Sequence, residues 1–105
     1  MTDAMRFEPG TISVPAGKAV TFVVRNAGLV VHELFVGGEA DQAAHAVEMA
    51  EHPGGSHAHG NAVRVPAAGS ESLTMTFDKP GRVLLGCHEP GHYLAGMVGT
   101  LEVTE

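Results

Sequence analysis

A cysteine, a histidine and a methionine stand at even spacing in "GCHEPGHYLAGMVG", residues 86–99. Cys87 is the only cysteine of the chain, and four residues separate it from His92, as four separate His92 from Met97. Thiolate and thioether sulfurs stabilise Cu(I), whereas an imidazole binds both oxidation states of copper. Two imidazoles and a thiolate in one plane, with a weak axial methionine, form the ligand set of electron-transfer copper sites. The segment therefore predicts most of such a ligand set.

One histidine is missing from that set, and His32 in "NAGLVVHELFV" is the best candidate. It stands in an apolar stretch typical of a strand, which can pass beside the loop. The competing interpretations are a buried core thiol for Cys87, core packing for Met97 and a hydrogen-bonded core histidine for His32. The joint spacing favours the ligand interpretation. His88, next to Cys87, is expected to lie beside the ligands or at the surface and not to bind the metal.

The elements that must position these residues are short strands. Apolar residues alternate with polar ones in several segments, and glycine and proline turns separate the segments. The predicted strands lie in residues 10–17, 18–28, 30–38, 61–69, 71–81, 82–87 and 97–105. Seven short strands of this kind predict an antiparallel sandwich or barrel. The chain shows no internal repeat, so we expect one copper-binding domain over residues 1–105.

One segment departs from this pattern. "EADQAAHAVEMAEH", residues 39–52, is rich in alanine and glutamate and predicts a helix inserted between strands. Five side chains in and after this helix could bind a second copper ion weakly: His45, Met49, His52, His57 and His59. The alternative, which we favour, is that Met49 packs on the sandwich while the histidines lie on a solvated, acidic surface.

At these residues the chain resembles the cupredoxins, small blue-copper proteins such as plastocyanin, azurin and rusticyanin. The resemblance rests on "NAGLVVHEL" and on the ligand loop, whose Cys-x4-His-x4-Met spacing is most like rusticyanin. It implies an all-β Greek-key β-sandwich with one short helical insertion around residues 39–52. It also implies one type 1 copper ion, with in-plane and axial ligands at His32, Cys87, His92 and Met97. Many cupredoxins have asparagine or serine after the first histidine ligand, where this chain has Glu33.

The implied function is one-electron transfer between Cu(I) and Cu(II), by a carrier that is not an enzyme. The alternative is copper binding for tolerance, storage or delivery through the insertion. A redox partner protein is expected, such as a cytochrome or a copper oxidase or reductase, and the carrier is expected to be a monomer. The resemblance also implies a periplasmic or other extracytoplasmic location, although "MTDAMRFEPG" shows no secretory signal.

Composition limits the remaining classes of function. Apolar residues make up 44% of the chain, as in a globular protein, and no apolar run has membrane-spanning length. Lysine and arginine number 6 against 12 aspartates and glutamates, which gives a formal net charge of −6. Nucleic-acid binding needs clustered positive charge, so this balance argues against it.

Overall fold

A computed structural model of the chain describes residues 1–51, 61–89, 91–93 and 95–105. Its elements, in chain order, are β1 (Thr11–Pro15), β2 (Ala19–Arg25), β3 (His32–Gly37), α1 (Glu39–Glu51), β4 (Ala62–Val65), β5 (Ser70–Thr76), β6 (Gly81–Gly86) and β7 (Val98–Thr104). Each strand lies within its predicted segment, except that β5 and β6 each begin one residue earlier, at Ser70 and Gly81. The predicted inserted helix is also present. Among the described residues, no helix has the length and apolar character needed to span a membrane.

The strands form two sheets. One sheet has the order β1-β7-β6-β3-β4, and the other pairs β2 with β5. Strand β1 runs parallel to β7, and the other pairs are antiparallel. Because β3 pairs with β6 rather than with β2, the chain crosses between the sheets as in a Greek key. The predicted Greek-key β-sandwich is therefore confirmed.

The two sheets enclose one hydrophobic cluster. Its buried members are Met1, Phe7, Val14, Val24, Leu34, Val36, Val65, Leu73, Leu85, Cys87, Met97, Leu101 and Val103. Most come from alternate positions of their strands, because successive side chains of a strand point to opposite faces. Cys87 and Met97 of the ligand loop both belong to this cluster. The core therefore also forms one wall of the candidate site.

Strand β3 departs from the alternation, because all its residues from His32 to Val36 are buried. Leu34 and Val36 face the core between the sheets. Glu33 and Phe35 point to the opposite face, where α1 packs against β3. The insertion thus covers a sheet face that solvent would otherwise reach, and it buries a carboxylate next to His32.

Candidate metal centre

The ligand loop is closed by the sheet at its base. Gly86 at the end of β6 pairs with Val98 at the start of β7. Just beyond this pair, the Cys87 N–H donates to the Met97 carbonyl oxygen at 3.2 Å. The Met97 N–H donates in turn to the carbonyl oxygen of His92 at 3.1 Å. These bonds hold the backbones of all three predicted loop ligands together.

A turn brings His92 back over Cys87. The His92 N–H donates to the Glu89 carbonyl oxygen at 2.9 Å, and Gly91 has a φ of 82°. This left-handed conformation strains residues that carry a Cβ atom, so the turn favours glycine at position 91. The hydrogen bond from His92 to Glu89 therefore sets the position of an imidazole.

Three side chains meet at one point. One ligand atom each from His32, Cys87 and His92 lies within 4.8 Å of the others. The two Nδ1 atoms are 3.2 Å apart, and the Nδ1 atom of His92 is 3.4 Å from the Cys87 sulfur. A thiolate with two imidazole nitrogens is a donor set that suits copper. The geometry therefore fits a copper ion, and β3 supplies the histidine that the loop lacks.

Met97 is fully buried in the same cluster as Cys87. Its backbone bonds place it at the loop base, beside both Cys87 and His92. Core packing and axial ligation are both compatible with this position, because a thioether that lines a metal site is also part of the core.

The thiol of Cys87 is held in a dry environment. Burial raises its pKa to about 11, although the N–H groups of Glu33 and Glu89 act in the opposite direction. The Glu33 N–H lies 3.2 Å from the sulfur. At neutral pH the metal-free thiol is therefore protonated, and a metal must displace that proton to bind. The same N–H groups then donate to the thiolate.

The two histidines present the nitrogen that a metal needs. Burial, and then the neighbouring His32, lower the pKa of His92 below its ordinary value, which favours the neutral, ligating form. On the far side of His32, the Nε2 atom lies 2.9 Å from Oδ1 of Asp3. A carboxylate at this distance holds the proton on Nε2 and leaves Nδ1 free to bind.

Asp3 is a site residue that the sequence interpretation missed. Its other oxygen accepts the Leu29 N–H at 2.7 Å. This bond, and then the bond with His32, lower the pKa of Asp3. Gly28 lies so close to the Asp3 carboxylate that a Cβ atom there would overlap it. The sequence gives no sign of a contact between residues this far apart, since Asp3 lies outside the regular strands.

Comparison with known proteins agrees with this geometry. Residues 1–104 match a family described as copper binding proteins, plastocyanin/azurin family. The chain belongs to this family of cupredoxins. The predicted resemblance is confirmed, and copper is the metal of the family.

Three similar proteins illustrate the range of the family. Copper-resistant cuproprotein CopI of Rubrivivax gelatinosus is 45% identical over 103 residues, which cover 98% of this chain and 62% of the relative. Copper-resistant cuproprotein CopI of Pseudomonas aeruginosa is 37% identical and covers 94% of this chain and 71% of the relative. The crystal structure of dithionite-reduced auracyanin from Roseiflexus castenholzii superposes with a TM-score of 0.83 at 26% identity, over 99% of this chain and 91% of that one. This cupredoxin chain thus spans about 62% of the length of the Rubrivivax relative.

Glu33 takes the position at which many cupredoxins tie the two ligand-bearing segments together. The side chain of Glu33 is 3% exposed, and its Oε1 atom accepts the His88 N–H at 3.3 Å. A carboxylate therefore makes the tie between β3 and the ligand loop in this cupredoxin. The absence of asparagine or serine at this position does not remove the connection.

The helix does not present all its histidines to solvent. His45 is 3% exposed and stacks on Phe35 with 4.1 Å between ring centroids, and Met49 is also buried. The expectation of a solvated His45 is therefore wrong, because α1 turns this face toward β3. His52, His57 and His59 lie outside the described residues. Within the described part of the chain, one cluster of at least three histidine, cysteine or acidic ligands comes together, and it contains neither His45 nor His88.

His88 lies beside the site and not at the surface. It is 5% exposed, stacks on Tyr93, and its Nε2 atom is 2.6 Å from Oε1 of Gln42 on α1. Burial, and then the nearby His45, lower the pKa of His88 to about 4. A neutral His88 donates its Nε2 proton to the Gln42 oxygen, so the ligand loop and the helix are joined through this pair.

A second buried carboxylate flanks the thiol. Glu89 is buried, and its Oε1 atom accepts a hydrogen bond from Nη2 of Arg64 at 2.8 Å. The bond to Glu89 raises the pKa of Arg64 and so keeps the guanidinium charged. In addition to burial, the charges of Glu33 and Glu89 both act to raise the pKa of Cys87.

Proposed function

We propose that the protein is a one-electron carrier with a single type 1 copper ion. The proposed ligands are His32, Cys87 and His92 in the plane and Met97 in the axial position. The observation that carries the proposal is the convergence of three ligand atoms within 4.8 Å. Bound copper would supply the Cu(I)/Cu(II) couple. Because the sheet and the loop already hold the ligands together, the site would change little between oxidation states, as rapid electron transfer requires.

The surroundings of the site support a carrier and not an enzyme. His32, Cys87 and Met97 are fully buried, while His92 is partly exposed. The burial of three proposed ligand side chains limits the access of a substrate to the metal. We propose that electrons pass through the exposed edge of His92 to a redox partner protein, such as a cytochrome or a copper oxidase or reductase. We also propose that residues 1–105 form one domain, which the family match over residues 1–104 supports. We further propose that this domain is a monomer with an extracytoplasmic location.

Electron self-exchange tests this function. NMR line broadening in mixtures of oxidised and reduced copper protein should show rapid exchange, with copper retained in both states. Slow exchange in the native protein, or loss of copper on each reduction, would contradict the carrier function.

Copper handling is the second candidate function. It is favoured by the two relatives named copper-resistant cuproprotein CopI, which are 45% and 37% identical to this chain. Tolerance, storage or delivery would require a further site that exchanges ions, and the histidines of the insertion are the candidates.

Calorimetric titration of copper into the metal-free protein separates the two functions. The native chain is compared with a variant in which His52, His57 and His59 are alanine. His45 and Met49 stay unchanged, because both are buried and their loss would disturb the fold. The carrier function predicts one tight site in both proteins. A second stoichiometric site that only the variant lacks would support copper handling instead.

A further inference from the structure

Glu33 contacts the ligand loop through two different groups. Its backbone N–H lies 3.2 Å from the Cys87 sulfur, and its Oε1 atom lies 3.3 Å from the His88 nitrogen. It also directly follows His32 on β3. A displacement of Glu33 would therefore disturb two contacts at once. One is the N–H that donates to the Cys87 sulfur, and the other is the hydrogen bond that connects β3 to the ligand loop.

The insertion determines the surroundings of this carboxylate. The Nε2 atom of His45 on α1 lies 3.0 Å from both oxygens of Glu33, and both side chains are nearly fully buried. The other ring nitrogen of His45 faces Glu48 at 3.7 Å. A buried carboxylate is costly unless a hydrogen-bond donor or a cation compensates it. His45 is such a donor for Glu33.

Packing fixes the direction in which His45 points. Its ring is parallel to that of Phe35, with an interplanar angle of 3°. Phe35 is two residues beyond Glu33 and therefore lies on the same outer face of β3. The stacked ring holds the Nε2 atom against the carboxylate, so the contact is a property of how α1 packs on the sheet.

We propose that α1 tunes the copper site through His45. The histidine is a positioning residue: it holds Glu33 in place and offsets the charge of that carboxylate beside Cys87. A negative charge near the metal stabilises Cu(II) and lowers the reduction potential, so the strength of the His45–Glu33 contact sets part of the potential. This tuning presupposes the copper site proposed above. The inserted helix then acts on that site through one side chain that does not touch the metal.

A double-mutant cycle on the copper-loaded protein tests this role, with voltammetry as the readout. Glu33→Gln keeps the acceptor for the His88 N–H but removes the charge, and it should raise the potential. His45→Phe keeps the ring on Phe35 but removes the donor, and it should lower the potential because the negative charge of Glu33 is then left uncompensated beside the copper. In the Glu33→Gln background, His45→Phe should have little effect, since the two residues act as a pair. Equal shifts in both backgrounds, or no shift in either, would overturn the proposal.

Two further variants separate tuning from stability. Met49→Leu changes another buried residue of α1 at similar volume and should leave the potential unchanged. His45→Gln keeps an N–H donor and should shift the potential less than His45→Phe does, and it also replaces that variant if the phenylalanine prevents folding. A shift from Met49→Leu as large as that from His45→Phe would mean that any disturbance of the helix changes the potential.

Hydrogen exchange in the metal-free protein provides a readout that needs no copper. His45→Phe should speed exchange of the His88 N–H, because its acceptor on Glu33 is no longer held, whereas Met49→Leu should not. Unchanged exchange would overturn the positioning role of His45. If the native protein bound no copper at the thiolate, the proposed function would fail, and faster His88 exchange would still establish the link from helix to loop.

Discussion

The ligand loop and the inserted helix both place a histidine near a methionine, yet the fold uses the two pairs differently. In the loop, the backbones of His92 and Met97 are hydrogen-bonded to each other, and the imidazole reaches Cys87. In the helix, His45 and Met49 are both buried, and His45 contacts Glu33 on β3. The difference teaches that regular spacing of metal-binding residue types does not define a site. Convergence requires a loop pinned at both ends and a further ligand on the adjacent strand.

The first prediction concerns the pair that joins these two regions, His88 and Gln42. Because the pKa of His88 falls from 6.5 to about 4 on folding, the unfolded chain binds a proton that the folded chain does not bind between these pH values. The free energy of unfolding of the metal-free protein should therefore fall as pH drops from 6.5 to 4, by on the order of 3 kcal/mol. Urea unfolding at several pH values measures this loss, and His88→Gln should remove most of it. An equal loss in that variant would assign the effect to other groups.

The second prediction compares two buried methionines, Met97 of the ligand loop and Met49 of the helix. Met97→Gln should keep copper bound and lower the reduction potential by at least about 60 mV, a tenfold effect for a one-electron couple, because a harder axial oxygen stabilises Cu(II). Met49→Gln should leave the potential unchanged and destabilise the fold by about 1–3 kcal/mol, because it buries a polar amide. Voltammetry and urea unfolding of both variants provide the measurements. An unchanged potential in Met97→Gln would show that Met97 only packs in the core. The methionines of the loop and the helix would then have the same structural role.

The third prediction compares two carboxylates behind the ligands and has the smallest expected effect. Asp3→Asn keeps an acceptor for the Nε2 proton of His32 but removes a charge, so the potential should rise. The rise should be smaller than for Glu33→Gln, because the Asp3 side chain is 38% exposed and solvent screens its charge. A larger rise for Asp3→Asn would mean that contact with the ligand ring outweighs burial.

The elements were predictable because local signals define them. Alternating apolar residues and glycine or proline turns predict the strands, and the alanine-rich composition predicts α1. Cys87, His92 and Met97 lie in one loop, so their spacing was visible in the sequence. The Greek-key order came from the resemblance to cupredoxins, because strand pairing at long range leaves no local signal.

The rest of the site depends on tertiary contacts. Asp3 reaches His32 from an irregular segment, and no periodicity predicts such a contact. The burial of His45 follows from the packing of α1 on β3. In this packing, Phe35 and Glu33 of the strand contact His45 of the helix. An amphipathic pattern identifies which helix positions share a face, but it does not identify which face the sheet will cover.

The absorption spectrum of the copper-loaded protein, measured beside that of Cys87→Ser, tests the central claim most directly. A thiolate bound to Cu(II) between two imidazoles should give one intense visible band that reaches its maximum at one copper per chain and disappears on reduction. The serine variant should lack the band, because a hydroxyl oxygen does not form the soft, covalent bond that a thiolate sulfur forms with copper. A native protein without the band, or a Cys87→Ser variant that keeps it, would contradict the account.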